Sequence, residues 1–137
     1  MSLYTYIVAN LLFPLHEWLK GHTTVAIRKQ MDESQWWAAE TLRELQLQRL
    51  RSLLTLAGQH VPYYRDLFGR IGFDPATVSR LEDLGRVPLL DKADIRAGVE
   101  HFKADNAEGL ARFNTGGSSG QPLIFFIGKQ RVSHDVA

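Results

Sequence analysis

No cysteine occurs among the 137 residues, so disulfides and thiolate metal sites are excluded. Neither sign of charge dominates: 16 basic residues stand against 15 acidic ones, a formal net charge of +1. Nucleic-acid binding needs a basic footprint that this balance does not supply, and no nucleic-acid partner is expected. The five histidines, His16, His22, His60, His101 and His134, are scattered, and no two lie at a metal-ligand spacing. No metal site is expected from them. Long apolar runs are missing too. Leu3 to Leu15 is interrupted by Thr5, Asn10 and Pro14, and it falls short of the ~20 residues that span a bilayer. No Lys or Arg precedes Lys20, so the basic start of a signal peptide is absent. The stretch reads as a helix docked on the protein in preference to a peripheral membrane contact by residues 1–20, although Tyr4, Tyr6 and Trp18 suit an interface. The cytoplasm is the expected compartment.

What is present is the composition of a folded, soluble chain: 45% hydrophobic and 23% charged residues, enough to bury a core. The first two-thirds read as helices and turns. From Ser34 to Ala57 an amphipathic helix is expected, with Leu42, Leu45, Leu50, Leu53 and Leu56 inside an arc of roughly 140° and the polar residues opposite. Gly58 is placed at its end and Pro62 beyond the break. Pro62 then suits the first turn of a short helix that part-buries Tyr63, Leu67 and Phe68, with Gly69 and Gly72 at its end. Asp74-Pro75 opens a turn, and Ser79 with Glu82 has capping-box spacing. Asp91 caps a helix from Lys92 to about Ala97, with Asp94 in the first turn, where the helix dipole favours a negative charge. Near residue 110 the character changes. "LARFN" and Leu123 to Ile127 read as strands, and "KQRVSHDVA" as the beginning of a helix. The chain divides into an N-terminal helical segment, 1–33, a helical region, 34–109, and the start of a sheet, 110–137.

Between the two strands lies "TGGSSGQP". Glycine permits the close approach and positive φ of a backbone nest, and hydroxyls add donors that suit an anion. Thr115, Gly116, Gly117, Ser118, Ser119 and Gly120 supply both in succession. Composition alone favours a flexible turn or linker over a phosphate cradle. A Walker loop does not fit, because Gly120 is followed by Gln121 and Pro122, and no dinucleotide fingerprint occurs. Gly116 to Gly120 match the nucleophile elbow G-x-S-x-G literally, which would make Ser118 a hydrolase nucleophile. The nearby Pro122 and the strand-like run after it weaken that reading.

The order of these pieces resembles the adenylate-forming enzymes, whose phosphate loop is [TS]-[SG]-G-[ST]-[ST]-G-x-P. Within them the chain looks like the phenylacetate–CoA ligase-like branch, which includes coenzyme-synthetase-like proteins associated with capsule polysaccharide. "LQLQRLRSLLTLAGQHVPYYRDLF" and "LEDLGRVPLLDKADIR" are similar to two further segments of that branch, in the same order. The resemblance implies an α/β protein, α+β over this stretch, whose helical region leads into the first strands of an N-terminal domain. It implies ATP, Mg2+ and CoA as cofactors of the complete enzyme and a small-molecule carboxylate as substrate. The carboxylate is activated as an acyl-adenylate and passed to a thiol. By the same resemblance, Thr115, Gly116, Gly117, Ser118, Ser119, Gly120 and Gln121 hold ATP phosphates. Many members carry Lys where this chain has Gln121, so a fixed positive charge is lost there. The family's adenine-binding segment, magnesium-coordinating acid and catalytic lysine lie further along than these residues reach. No catalytic residue is therefore assigned. The expectation is the N-terminal portion of such a ligase, inactive by itself; a truncated binding or interaction module, linked to exopolysaccharide synthesis, is the alternative.

Overall fold

Proline and glycine set most of the boundaries between helices. The computed structural model describes residues 2–116 and 122–137. It is mostly helical, with one two-stranded antiparallel sheet, the α+β arrangement that the resemblance implies. Two compact units are present: Met1–Trp37 with Ile127–Ala137, and Ala38–Phe126.

In the first unit, helix α1 (Leu3–Ile7) starts at Ser2, whose Oγ accepts the Thr5 amide at 3.2 Å. A π-helical turn (Val8–Leu12) follows and leads into α2 (Phe13–Leu19). Pro14 accounts for the widening. It has no N–H, and its ring crowds the carbonyl four residues back, so the Phe13 amide bonds to the Val8 carbonyl instead. Gly21, at φ +69°, turns the chain into α3 (Thr24–Ser34). Helix α7 (Lys129–Val136) packs on α3. The expectation of a docked N-terminal helix fails for much of its length. Leu3, Tyr4, Tyr6, Leu11, Trp18 and Leu19 are all more than half exposed. Glu17 is the buried residue of α2. Its carboxylate accepts bonds from the Thr24 hydroxyl and lies 3.2 Å from His22 Nδ1. Ser133 is fully enclosed, and its Oγ accepts the Thr23 amide at 3.1 Å. The Thr24 hydroxyl first, then His22, hold the Glu17 carboxyl below the usual carboxylate range.

The second unit is built on α4 (Ala39–His60) and α5 (Pro62–Ile71). Pro62 opens α5, and Gly72 ends it in the left-handed region at φ +61°. The core is Leu54, Leu67, Phe68, Phe73 and Val78, flanked by Leu47, Leu50, Tyr63, Tyr64 and Val87. The packed face of α4 keeps Leu50 of the expected set but turns away from Leu53 and Leu56. Leu53 and Leu56 are 63% and 54% exposed, while Leu54 is 6% exposed. The leucines of α4 span about 200° of the helical wheel, wider than one packed face, so periodicity alone does not choose among them. Leu47, Leu50, Arg51, Leu54 and Gly58 fall within about 100° of the helical wheel. Gly58 lets the Phe68 ring sit against the helix backbone, and Arg51 Nε donates to the Val78 carbonyl at 2.5 Å. Gly58 is accordingly inside the helix and does not end it.

Short caps organise the rest. Asp74 accepts the Ala76 amide at 2.9 Å before a 3₁₀ turn, Pro75–Thr77. At the next turn, Leu81–Arg86, the acid that reaches back is Asp83 and not Glu82. Asp83 Oδ2 accepts the amides of Ser79 and Arg80 at 2.8 and 3.1 Å. These donors hold the Asp83 carboxyl below its ordinary value. Helix α6 (Lys92–Ala97) has the expected Asp91 cap, returned by Asp94 to the Asp91 amide. Another 3₁₀ turn, Val99–Phe102, precedes strands β1 (Ala111–Asn114) and β2 (Ile124–Ile127).

Candidate functional site

Alternation along β1 places Arg112 and Asn114 on one face and Phe113 on the other. Phe113 stacks on Phe125 of β2 with ring centres 6.2 Å apart. Beyond Asn114 the two strands remain tied by the pair Thr115 and Leu123. The Thr115 amide donates to the Leu123 carbonyl at 3.0 Å, and the Leu123 amide donates to Thr115 Oγ1 at 3.0 Å. The glycine-rich stretch begins at this neck. A Cβ built on Gly116 would meet no atom of the described residues within 4 Å. Gly117, Ser118, Ser119, Gly120 and Gln121 lie outside the described residues. Of the expected phosphate-binding set, Thr115 and Gly116 are therefore the two that can be placed.

Beside the neck is an open cleft of about 340 Å³ lined by Arg112, Phe113, Asn114, Pro122 and Ile124. Arg112 has no hydrogen-bond or ion-pair partner among the described residues, and a guanidinium suits an anion well. Sequence reasoning did not single out Arg112 or Asn114. The signal was available in the alternation of "ARFN", which puts both polar side chains on one face. Among the described residues no group of three His, Asp or Glu side chains converges as metal ligands.

A second polar cluster ties α4 and α5 to the segment that precedes β1. Arg65 Nη2 donates to Asp105 Oδ2 and to the Gln59 carbonyl, each at 2.6 Å. His60 Nδ1 is 3.1 Å from Asp105 Oδ1, and the Asp105 amide donates to the His60 carbonyl at 2.7 Å. Arg65 first, then His60, hold the Asp105 carboxyl below its ordinary range. Tyr63 adds a ring contact to Phe102, centres 4.3 Å apart. The Pro-Tyr-Tyr-Arg segment is thus a fastening within its own unit. Tyr64, next to Tyr63, has its hydroxyl pKa raised by burial first and by Tyr63 second. Asp94 is a capping residue, and Lys92 begins the helix it caps.

No family model matches the sequence. Among curated proteins the chain is similar to the phenylacetate-coenzyme A ligase of Thermus thermophilus, 37% identical over 90 residues, which are 62% of this chain and 20% of that protein. The phenylacetate-coenzyme A ligase of Pseudomonas putida is 32% identical over 101 residues, 72% of this chain and 23% of that protein. That of Aromatoleum evansii is 33% identical over 87 residues, 62% of this chain and 20% of that protein. The chain spans about a fifth of the length of the curated relatives it matches. These similarities support the adenylate-forming class. Within that class they support the phenylacetate–CoA ligase-like family, as the sequence motifs implied. No helix among the described residues is long and apolar enough to cross a membrane.

Proposed function

We propose that the stretch from Thr115 to Gln121 binds the phosphates of ATP, and that the whole protein is a carboxylate-activating ligase. Its similarity to proteins named phenylacetate-coenzyme A ligase supports an acyl–CoA ligase of this kind. The observation that carries the reading is the position of the stretch. Glycines and hydroxyls follow directly from a neck tied by Thr115 and Leu123, between two paired strands. Backbone amides and hydroxyls held there would offset charge on the leaving pyrophosphate. A glutamine in place of lysine at position 121 keeps hydrogen-bond donors and loses the charge, and Arg112, which lines the cleft beside the Thr115–Leu123 neck, is the cation we assign to supply it. Mg2+, when bound with ATP, would neutralise phosphate charge. CoA would be the thiol acceptor, and the substrate a small-molecule carboxylate. The test is carboxylate-dependent exchange of labelled pyrophosphate into ATP by the native-length polypeptide, across a panel of aromatic and aliphatic acids. Exchange with one class of acid is expected. Its absence from every acid, in protein that binds neither ATP nor pyrophosphate, refutes the reading.

A further inference from the structure

In an unbroken antiparallel ladder, two residues that face each other as a hydrogen-bonded pair exchange both N–H···O=C bonds. Thr115 and Leu123 keep one of these bonds and replace the other. The Thr115 amide reaches the Leu123 carbonyl at 3.0 Å, but the Leu123 amide is taken by Thr115 Oγ1, also at 3.0 Å. The hydroxyl stands where the Thr115 carbonyl would stand. The main chain can therefore leave the ladder after Thr115 while the Leu123 N–H stays satisfied. A β-branched side chain, stiff at χ1, holds that oxygen in place.

We infer that Thr115 is a positioning residue, whose side chain ties the two ends of the glycine-rich stretch together. This rests on the phosphate-binding reading of that stretch. The groups of Thr115 are committed as follows. Its amide is used by Leu123, so it has no N–H to offer an anion. Its oxygen accepts from Leu123, which leaves only the hydroxyl hydrogen. On the phosphate-binding reading, the contribution of Thr115 is its hold on Leu123, with at most its hydroxyl hydrogen left for an anion.

The experiment compares Thr115→Val and Thr115→Ser in the native-length protein. Thr115 is exposed, so both side chains are accommodated. Two quantities are read: hydrogen exchange of the Leu123 amide by NMR, and the affinity for inorganic pyrophosphate by calorimetry. Valine is expected to speed Leu123 exchange about fivefold, the loss of one ordinary hydrogen bond, and to weaken pyrophosphate binding. Serine is expected to restore both. Weakened binding with Leu123 exchange unchanged would make Thr115 a direct ligand and overturn the inference. Faster exchange with unaltered binding would overturn it as well, since the tie would then position nothing. If the wild-type protein binds no pyrophosphate, the phosphate-binding reading is what fails, and Leu123 exchange alone decides whether the tie exists.

Discussion

Two glycines in neighbouring helices respond oppositely to the same substitution. Gly58 lies within α4 and Gly69 within α5. Alanine in a helix gains about 0.5–1 kcal/mol over glycine, because glycine loses more backbone freedom on folding. At Gly69 nothing lies within 4 Å of the new Cβ, so Gly69→Ala is expected to realise that gain. At Gly58 the Cβ would stand 3.0 Å from Phe68 Cδ2, 3.4 Å from Phe68 Cε2 and 3.9 Å from Pro75 Cγ. The ring must retreat by a few tenths of an ångström. It is 5% exposed, with Phe73 centred 4.9 Å away and Tyr64 5.7 Å away, so it has little room. Overpacking of this kind costs about 1–3 kcal/mol. Subtracting the helical gain leaves Gly58→Ala destabilised by about 1 kcal/mol. Urea unfolding followed by the near-ultraviolet dichroism of Tyr63 and Tyr64 reports this unit. The midpoint should fall for Gly58→Ala and rise for Gly69→Ala, with the slope unchanged. Phe68→Leu removes the offending ring edge, and in that background Gly58→Ala should become neutral or stabilising, a coupling of about 1 kcal/mol. If Gly58→Ala is as stable as Gly69→Ala in the wild-type background, the ring yields freely and the reasoning fails.

Three further outcomes are expected. Leu54→Ala should cost about 2–5 kcal/mol as a core truncation, whereas Leu53→Ala, one residue away on the exposed side, should stay within about 0.5 kcal/mol; denaturant titration of the pair identifies which face of α4 packs. Asp105 is held below its ordinary pKa by Arg65 and His60. Its contribution is therefore complete above the unfolded value of about 3.9 and lost as pH falls through the lower folded value. Thermal melts of wild type and Asp105→Asn should differ at neutral pH and converge on acidification. Thr24→Val removes the hydroxyl that does most to lower the Glu17 carboxyl, so a carbon-detected NMR titration should find that carboxyl protonating at higher pH than in the wild type.

Local chemistry carried most of what was legible in advance. Asp91 capping α6, Pro62 opening α5, Asp74-Pro75 turning the chain and the two strands around the glycine-rich stretch are each written within a few residues of where they act. Contacts between distant residues were not legible. Asp105 meets Arg65 across 40 residues, and Ser133 meets Thr23 across 110. No periodicity announces either pair. The Glu82 and Asp83 exchange shows a finer limit, since a box shifted by one residue looks the same by spacing. The glycine-rich stretch was conspicuous by composition, but the Thr115–Leu123 neck depends on a strand register that composition does not contain.

The leucines of α4 carry one more consequence. Leu42, Leu45, Leu53 and Leu56 form an apolar stripe within about 80° of the wheel, on the side away from Leu47 and Leu54. By hydrophobic content alone the helix offers two apolar faces whose centres lie about 130° apart, an ambiguity that a funnelled landscape has to resolve. What breaks the tie is small and specific: the missing side chain of Gly58 and the reach of Arg51 to the Val78 carbonyl. In this unit a glycine and an arginine therefore help the core to select which of these faces is buried.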